Sequence, residues 1–351
     1  MELQIITQSA RILIIPICFL GKLGIFLLSF ANFAPVMYSF SEYKPFYIRN
    51  LKVAIPIMLS QLGGAIVQLV DMKMVTSLGT TQLASVSFAG QVFMIGFVLA
   101  VTILQSVTPL VGYKYVVGDD KNVCSYFLTS IVQSLVTSVF IVSAMLFVST
   151  KMDCMGQDPD VAVMAVPYFK YVVWSLPAYM LFETLRLFLA GLGNTSAAMI
   201  ITLVSNLINI LFNYLLIYGE YGFPEMGVSG AGCSTMISRI VMPIMLIVVI
   251  LFEKKWSHYI TGMSLSWFSK EKFKELFVVG IPISLRSVCE VAAFALCGVM
   301  VGWLGKESSA ANQIANSMGH MAFMMVLGIG AATTIRVSHQ FGRKDIYAVR
   351  M

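Results

Sequence analysis

Two carboxylates sit inside long apolar runs, where a charge is costly and usually marks an ion pathway or a cavity. Asp71 lies in LVDMKMV, fifteen residues after Pro56, and Glu290 lies in GIPISLRSVCEVAAF, eight residues after Pro282. A carboxylate withdrawn from water takes up protons more readily. Such a group can exchange a proton near neutral pH or trade it for Na+. The alternative is an intramembrane hydrogen bond or ion pair with no part in transport. A third apolar run, SNLINILFNYLLIYG, carries Asn206, Asn209 and Asn213. Asn209 and Asn213 are spaced i, i+4, so they share a helix face, and their carbonyl oxygens are the hard ligands that Na+ takes beside a carboxylate. Asparagines also join helices by hydrogen bonds. In GVSGAGCSTMIS, Gly227, Gly230 and Gly232 permit close backbone approach, and Thr235 adds a hydroxyl on the packed side. Lys73 is two residues from Asp71, so it faces elsewhere and is expected to reach for the outer interface. Glu183 and Arg186, spaced i, i+3, are expected to pair locally at the end of a span. Arg239 and Arg286, read as about one turn inside the membrane, could meet lipid phosphates or a partner acid.

These residues need long apolar helices to hold them, and the composition supplies them. The chain is 58% hydrophobic and 11% charged, with a mean hydropathy of +0.85. A soluble domain carries about a quarter charged residues, so this is an all-α polytopic membrane protein. Spanning takes about 20 apolar residues. Eight candidate spans follow Tyr47, at roughly 51–76, 82–112, 124–149, 162–182, 196–218, 228–252, 275–301 and 309–338. Lys and Arg mark the cytoplasmic side. They fill every second connection: Lys44, Arg49 and Lys52; Lys114 and Lys121; Arg186; the five lysines from Lys254 to Lys274; and Arg343, Lys344 and Arg350. The alternate connections hold Lys151 and Lys306 among six acids. The start of the first span and the connection after the sixth therefore lie in the cytoplasm.

The stretch Ile55–Val111 recurs without a gap as Ile281–Val337, with Pro56 on Pro282, Gly79 on Gly305 and Thr108 on Thr334. An even number of spans per copy makes the copies parallel repeats, and duplicated bundles build transport sites between their halves. The domains read as an extension (1–46), a six-helix lobe (47–252), a cytoplasmic linker (253–274) and the first two helices of a second lobe (275–351). Only 69 residues follow Pro282, against 226 between the copies, which reads as a second lobe cut short. Residues 10–35 could form a ninth span, although Lys22 in its middle costs about 2.5–3.5 kcal/mol on insertion scales; the alternative is a start at Met37.

Several classes are excluded. The net charge of +6 is not clustered with stacking aromatics, which argues against nucleic acid. Six cysteines without a CxxC pair and three histidines without ligand spacing give no zinc site or disulfide framework. With no nucleophile and base pair, the chain does not read as an enzyme, and no cofactor is expected.

AIPIMLSQLGGAIVQLVDMKMV, LRLFLAGLGNTSAAMI, NILFNYLLIYGEYGFPEMGVSGAG, and GIPISLRSVCEV followed by SSAANQIA, in this order and spacing, resemble the multidrug and toxic compound extrusion (MATE) family, in its sodium- or proton-coupled bacterial multidrug branch. The resemblance runs from about Tyr47 to the end. It implies twelve helices in two lobes that rock between outward- and inward-open states, a monomer, and export of cationic or amphipathic drugs in exchange for Na+ or H+. By similarity, Asp71 is the first-lobe carboxylate with Asn209, Asn213 and Thr235 as companions, and the one place for a bound Na+, while Glu290 is the second-lobe acid. Some members carry Asp where this chain has Asn213, and the acid that partners the seventh-helix one has no counterpart here. Export crippled by the missing helices is the reading that follows. The rivals are a non-transporting remnant and a lipid-linked oligosaccharide flippase. The flippase would call for several deep Arg or Lys, whereas the deep residues here are mostly acids and amides.

Overall fold

Proline positions explain where the helices bend, and the bends decide which side chains meet. A computed structural model describes residues 40–152, 155, 158–261, 267–302 and 306–350. The candidate span at 10–35, Lys22, Met37, Cys18 and Cys154 lie outside the described residues. Among the described residues, eight helices are long and apolar enough to cross a membrane: Lys44–Thr76, Thr80–Val117, Asp120–Ser149, Pro159–Gly191, Ser196–Tyr218, Val228–Phe252, Lys270–Phe294 and Ala322–Gly342. We call them the first to eighth spans. In the second span a 3₁₀ turn at Ile103–Ser106 separates two α segments. Pro109 cannot donate to the carbonyl one turn earlier, so the ladder tightens there. In the fourth span Pro177 has the same effect. The helix breaks at Ser175, whose hydroxyl donates to the Val172 carbonyl at 2.6 Å.

The fourth span therefore runs to Gly191, nine residues beyond the expected end at 182, because the helix re-forms after its break. Glu183 and Arg186 consequently lie within it rather than at its terminus. The core of residues 48–351 is apolar and draws on the second to sixth spans, with Phe127, Phe169, Phe182 and Phe188 nearly fully buried. Leu276 of the seventh span joins the same cluster.

The fifth and sixth spans pack as an antiparallel zipper at four-residue spacing. The Ser205 hydroxyl donates to the Ser238 carbonyl at 3.0 Å, Asn209 and Asn213 meet Ser234, and Gly230 lies against the Leu216 carbonyl. A turn at Gly219 (φ 70°) and Gly227 (φ 55°) joins the two spans, closed by Met226 N–H donating to the Leu216 carbonyl at 2.9 Å. A methyl group at Gly230 would stand 2.5 Å from that Leu216 oxygen, which is backbone and cannot rotate away. Gly230→Ala is expected to destabilise the protein by at least about 1–3 kcal/mol through overpacking. Gly64→Ala, which meets nothing within 4 Å, should be near neutral. Thermal unfolding of both variants in detergent checks this, and equal stabilities would refute it.

The segment between the sixth and seventh spans is tied to the start of the third. Tyr259 donates to Asp120 at 3.4 Å, Ser125 to the Trp267 carbonyl at 2.5 Å, and Tyr126 to Glu275 at 2.5 Å. Lys272 donates to Asn122 and lies over the Tyr126 ring. Asp119 caps the third span, and the Asn122 side chain that donates to it holds its carboxyl below the usual carboxylate range.

The seventh and eighth spans meet the first four mainly towards the end marked by Lys114 and His339. His339 Nε2 lies 2.7 Å from the Gly191 carbonyl, Asn50 donates to Thr333 at 3.3 Å, and Gly342 fits against the Tyr113 carbonyl. Deeper in the bundle, Thr102 donates to Ser284 at 3.1 Å.

Candidate functional site

The zipper between the fifth and sixth spans builds the polar centre that Asp71 joins. Asn213 is fully buried and Asn209 nearly so, while Asp71 is half-buried. The two amide hydrogens of Asn213 serve two acceptors, Asp71 Oδ1 at 2.5 Å and Asn209 Oδ1 at 3.3 Å. Its carbonyl oxygen accepts from the Ser234 hydroxyl at 2.7 Å. Asn209 in turn donates to Ser234 Oγ at 3.1 Å. In this arrangement Asn213 presents an N–H to an Asp71 carboxyl oxygen. Rotating the amide by half a turn would present its oxygen instead. The same side chain can therefore serve a free carboxylate or help ligate a cation.

The structure brings Asp71, Asn209 and Asn213 together and leaves Thr235 out. The Thr235 hydroxyl donates back to the Ala231 carbonyl of its own helix at 2.9 Å. The hydroxyl in the network belongs to its neighbour Ser234, fully buried and missed from sequence. Gly230, Ser234 and Ser238 are spaced i, i+4, i+8 and all buried; that stripe was the available signal. Lys73 is exposed in the last turn of its helix, away from the network.

Glu290 is separate from this centre. Its carboxylate lies 3.8 Å from Arg286, one turn earlier on the seventh span, with the Glu290 side chain 37% exposed. Arg286 thus has the partner acid that was one of its two expected fates. Glu183 and Arg186 form the expected i, i+3 pair, Arg186 donating through Nε at 2.8 Å and also through Nη2. Contrary to the expected terminal position, this pair is internal, with the Glu183 side chain 2% exposed.

Arg239 corrects the sequence reading most. It was placed about one turn inside the membrane, yet it lies eleven residues beyond Val228 and thirteen before Phe252, about 17 Å along the helix from its start. Its guanidinium carbon stands 5.2 Å from the centroid of Phe93, 5.5 Å from Phe97 and 5.2 Å from Tyr179. Arg239 donates to Ser175 Oγ at 3.0 Å, at the break in the fourth span. Cation and ring faces attract, which lets an arginine sit at this depth without a carboxylate.

Comparison with known proteins agrees with the repeat and the bundle. The NorM multidrug resistance protein of Photobacterium profundum is 28% identical over 303 residues, covering 86% of this chain and 66% of that protein. NorM of Vibrio cholerae is 29% identical over 307 residues, with 87% and 66% covered. The chain thus spans about two thirds of the length of these relatives. Among solved structures, a MATE in complex with MaL6 superposes with a TM-score of 0.78 at 21% identity, and a MOP superfamily transporter from Pyrococcus furiosus with 0.76 at 21%. Each covers 86% of this chain and 66% of that one. The MatE family profile matches residues 56–215 and again 282–351. The two matches begin at Pro56 and Pro282, the offset of the internal repeat. Two matched segments in register with the repeat, on a bundle that superposes with MATE structures, place the protein: this chain belongs to the MatE family.

Proposed function

We propose that the chain supplies the first lobe and the opening helices of the second lobe of a secondary active antiporter that exports organic cations and amphipathic drugs in exchange for Na+ or H+. The observation that supports this most is the contact between Asp71 and Asn213, because it joins a lone acid of the first span to a buried, rotatable amide network. Ion binding at Asp71 would neutralise the carboxylate and turn Asn213, changing how the first span seats against the fifth. Rocking of the lobes then alternates access. The crowding of inter-half contacts at the Lys114 and His339 end, read as cytoplasmic from the distribution of Lys and Arg, supports a state open to the opposite side. The relatives' names support the drug class. The protein would act as a monomer in the plasma (inner) membrane, with the first lobe's start and the inter-lobe linker cytoplasmic.

The test is dye export in everted membrane vesicles. A cationic fluorescent dye should accumulate in the lumen when the lumen holds the higher proton or Na+ concentration, so that the ion leaves as the dye enters, and should be discharged when that gradient is collapsed. No gradient dependence would refute the antiport reading. In the same assay Glu290→Gln should slow export several-fold, since removing the charge also frees Arg286. Unchanged export would reduce Glu290 to helix packing.

A further inference from the structure

An arginine in mid-span with no carboxylate beside it calls for an explanation. Arg186, its neighbour in the same lobe, is committed to Glu183 by two N–H donors. Arg239 has a single hydrogen-bond acceptor among the described residues, Ser175 Oγ, for the five donors of its guanidinium. What holds it is three ring faces. Phe93 and Phe97 stand one turn apart on the second span with centroids 5.4 Å apart, and Tyr179 of the fourth span lies 5.2 Å from Phe97. Ring faces attract a ligand cation as they attract a guanidinium, and aromatic boxes of this kind bind quaternary ammonium ions. Ser175 adds an acceptor at one wall, and Phe97 and Tyr179 are only partly buried. The Asp71 carboxylate is the acid whose field reaches Arg239.

We propose that the box of Phe93, Phe97 and Tyr179 is an organic-cation site of the first lobe, with Arg239 as its tethered occupant that a mobile ammonium or guanidinium ion must displace. Arg239 then sets a threshold. A cation enters only if it outcompetes a side chain already there, so weakly π-binding inorganic ions are excluded and soft organic ones admitted. The cargo class rests on the antiport reading above; the site itself is testable without transport.

Binding of tetraethylammonium to the full chain in detergent, followed by calorimetry, tests it. Arg239→Gln should tighten binding about tenfold, the scale of a desolvated cation–π contact. Phe97→Leu in that background should remove the gain, whereas Asp71→Asn in that background should leave most of it. An unchanged affinity in Arg239→Gln overturns the proposal. So does a gain that survives Phe97→Leu but disappears with Asp71→Asn, which would assign it to the carboxylate's field. Should Arg239→Gln fail to fold, Phe97→Leu alone must weaken tetraethylammonium binding, and no change there is equally fatal. Failure of gradient-driven export with these binding results intact would sink the antiport reading and leave the site standing.

Discussion

Asp71→Asn is expected to abolish gradient-driven export, with a loss of at least about a hundredfold, while the protein still inserts and folds. A hundredfold corresponds to about 2.7 kcal/mol, within reach of removing the one charge that a coupling ion would bind. The variant is chosen because the network can accept it. Asn213 donates to Asp71 Oδ1 at 2.5 Å, and an asparagine at 71 offers an oxygen in the same place. Only the charge and its ability to exchange an ion are lost. Asp71→Glu, which keeps the charge and moves it by one methylene, should retain part of the export. Thermal unfolding of Asp71→Asn within a degree or two of the parent separates loss of coupling from loss of fold. Full export with normal ion dependence would remove Asp71 from the mechanism.

Much of the bundle was legible because membrane spanning imposes a length and a composition that no other structure satisfies. The eight spans, the repeat offset and the face shared by Asn209 and Asn213 follow from spacing alone. What spacing could not supply was rotation. Ser234 and Thr235 are adjacent hydroxyls about 100° apart around one helix, and which one meets Asn213 depends on how tightly Gly230 settles on Leu216. The buried stripe of Gly230, Ser234 and Ser238 fixes that rotation, but it becomes visible only when small residues are traced at four-residue spacing across both helices. The fourth span was misread for a different reason. Pro177 breaks the ladder locally and the helix resumes, so an end assigned near 182 left Glu183 outside a helix that in fact buries it. Arg239 was misjudged because charge in a span suggests an end, whereas three aromatic rings can hold an arginine in the middle.

The same extension of the fourth span makes the Glu183–Arg186 pair the largest expected effect on stability. With its side chain 2% exposed, Glu183 is balanced among the described residues by Arg186, whose side chain is 25% exposed. Arg186→Met keeps the apolar stem and deletes the charge, stranding a carboxylate in the lobe interior at a cost of about 3–5 kcal/mol. Glu183→Leu should cost less. It leaves the guanidinium unpaired, but Arg186 is closer to solvent and can carry its charge outward. The double variant, Glu183→Leu with Arg186→Met, should recover most of the loss, because replacing a buried pair by apolar groups of similar volume is often neutral. The two residues touch, so the single effects cannot add. Chemical denaturation of all four proteins in one detergent gives the coupling energy directly. Additive single losses would show that the pair contributes nothing as a pair. Recovery in the double variant would show that its worth lies in mutual cancellation rather than in any net gain over an apolar core.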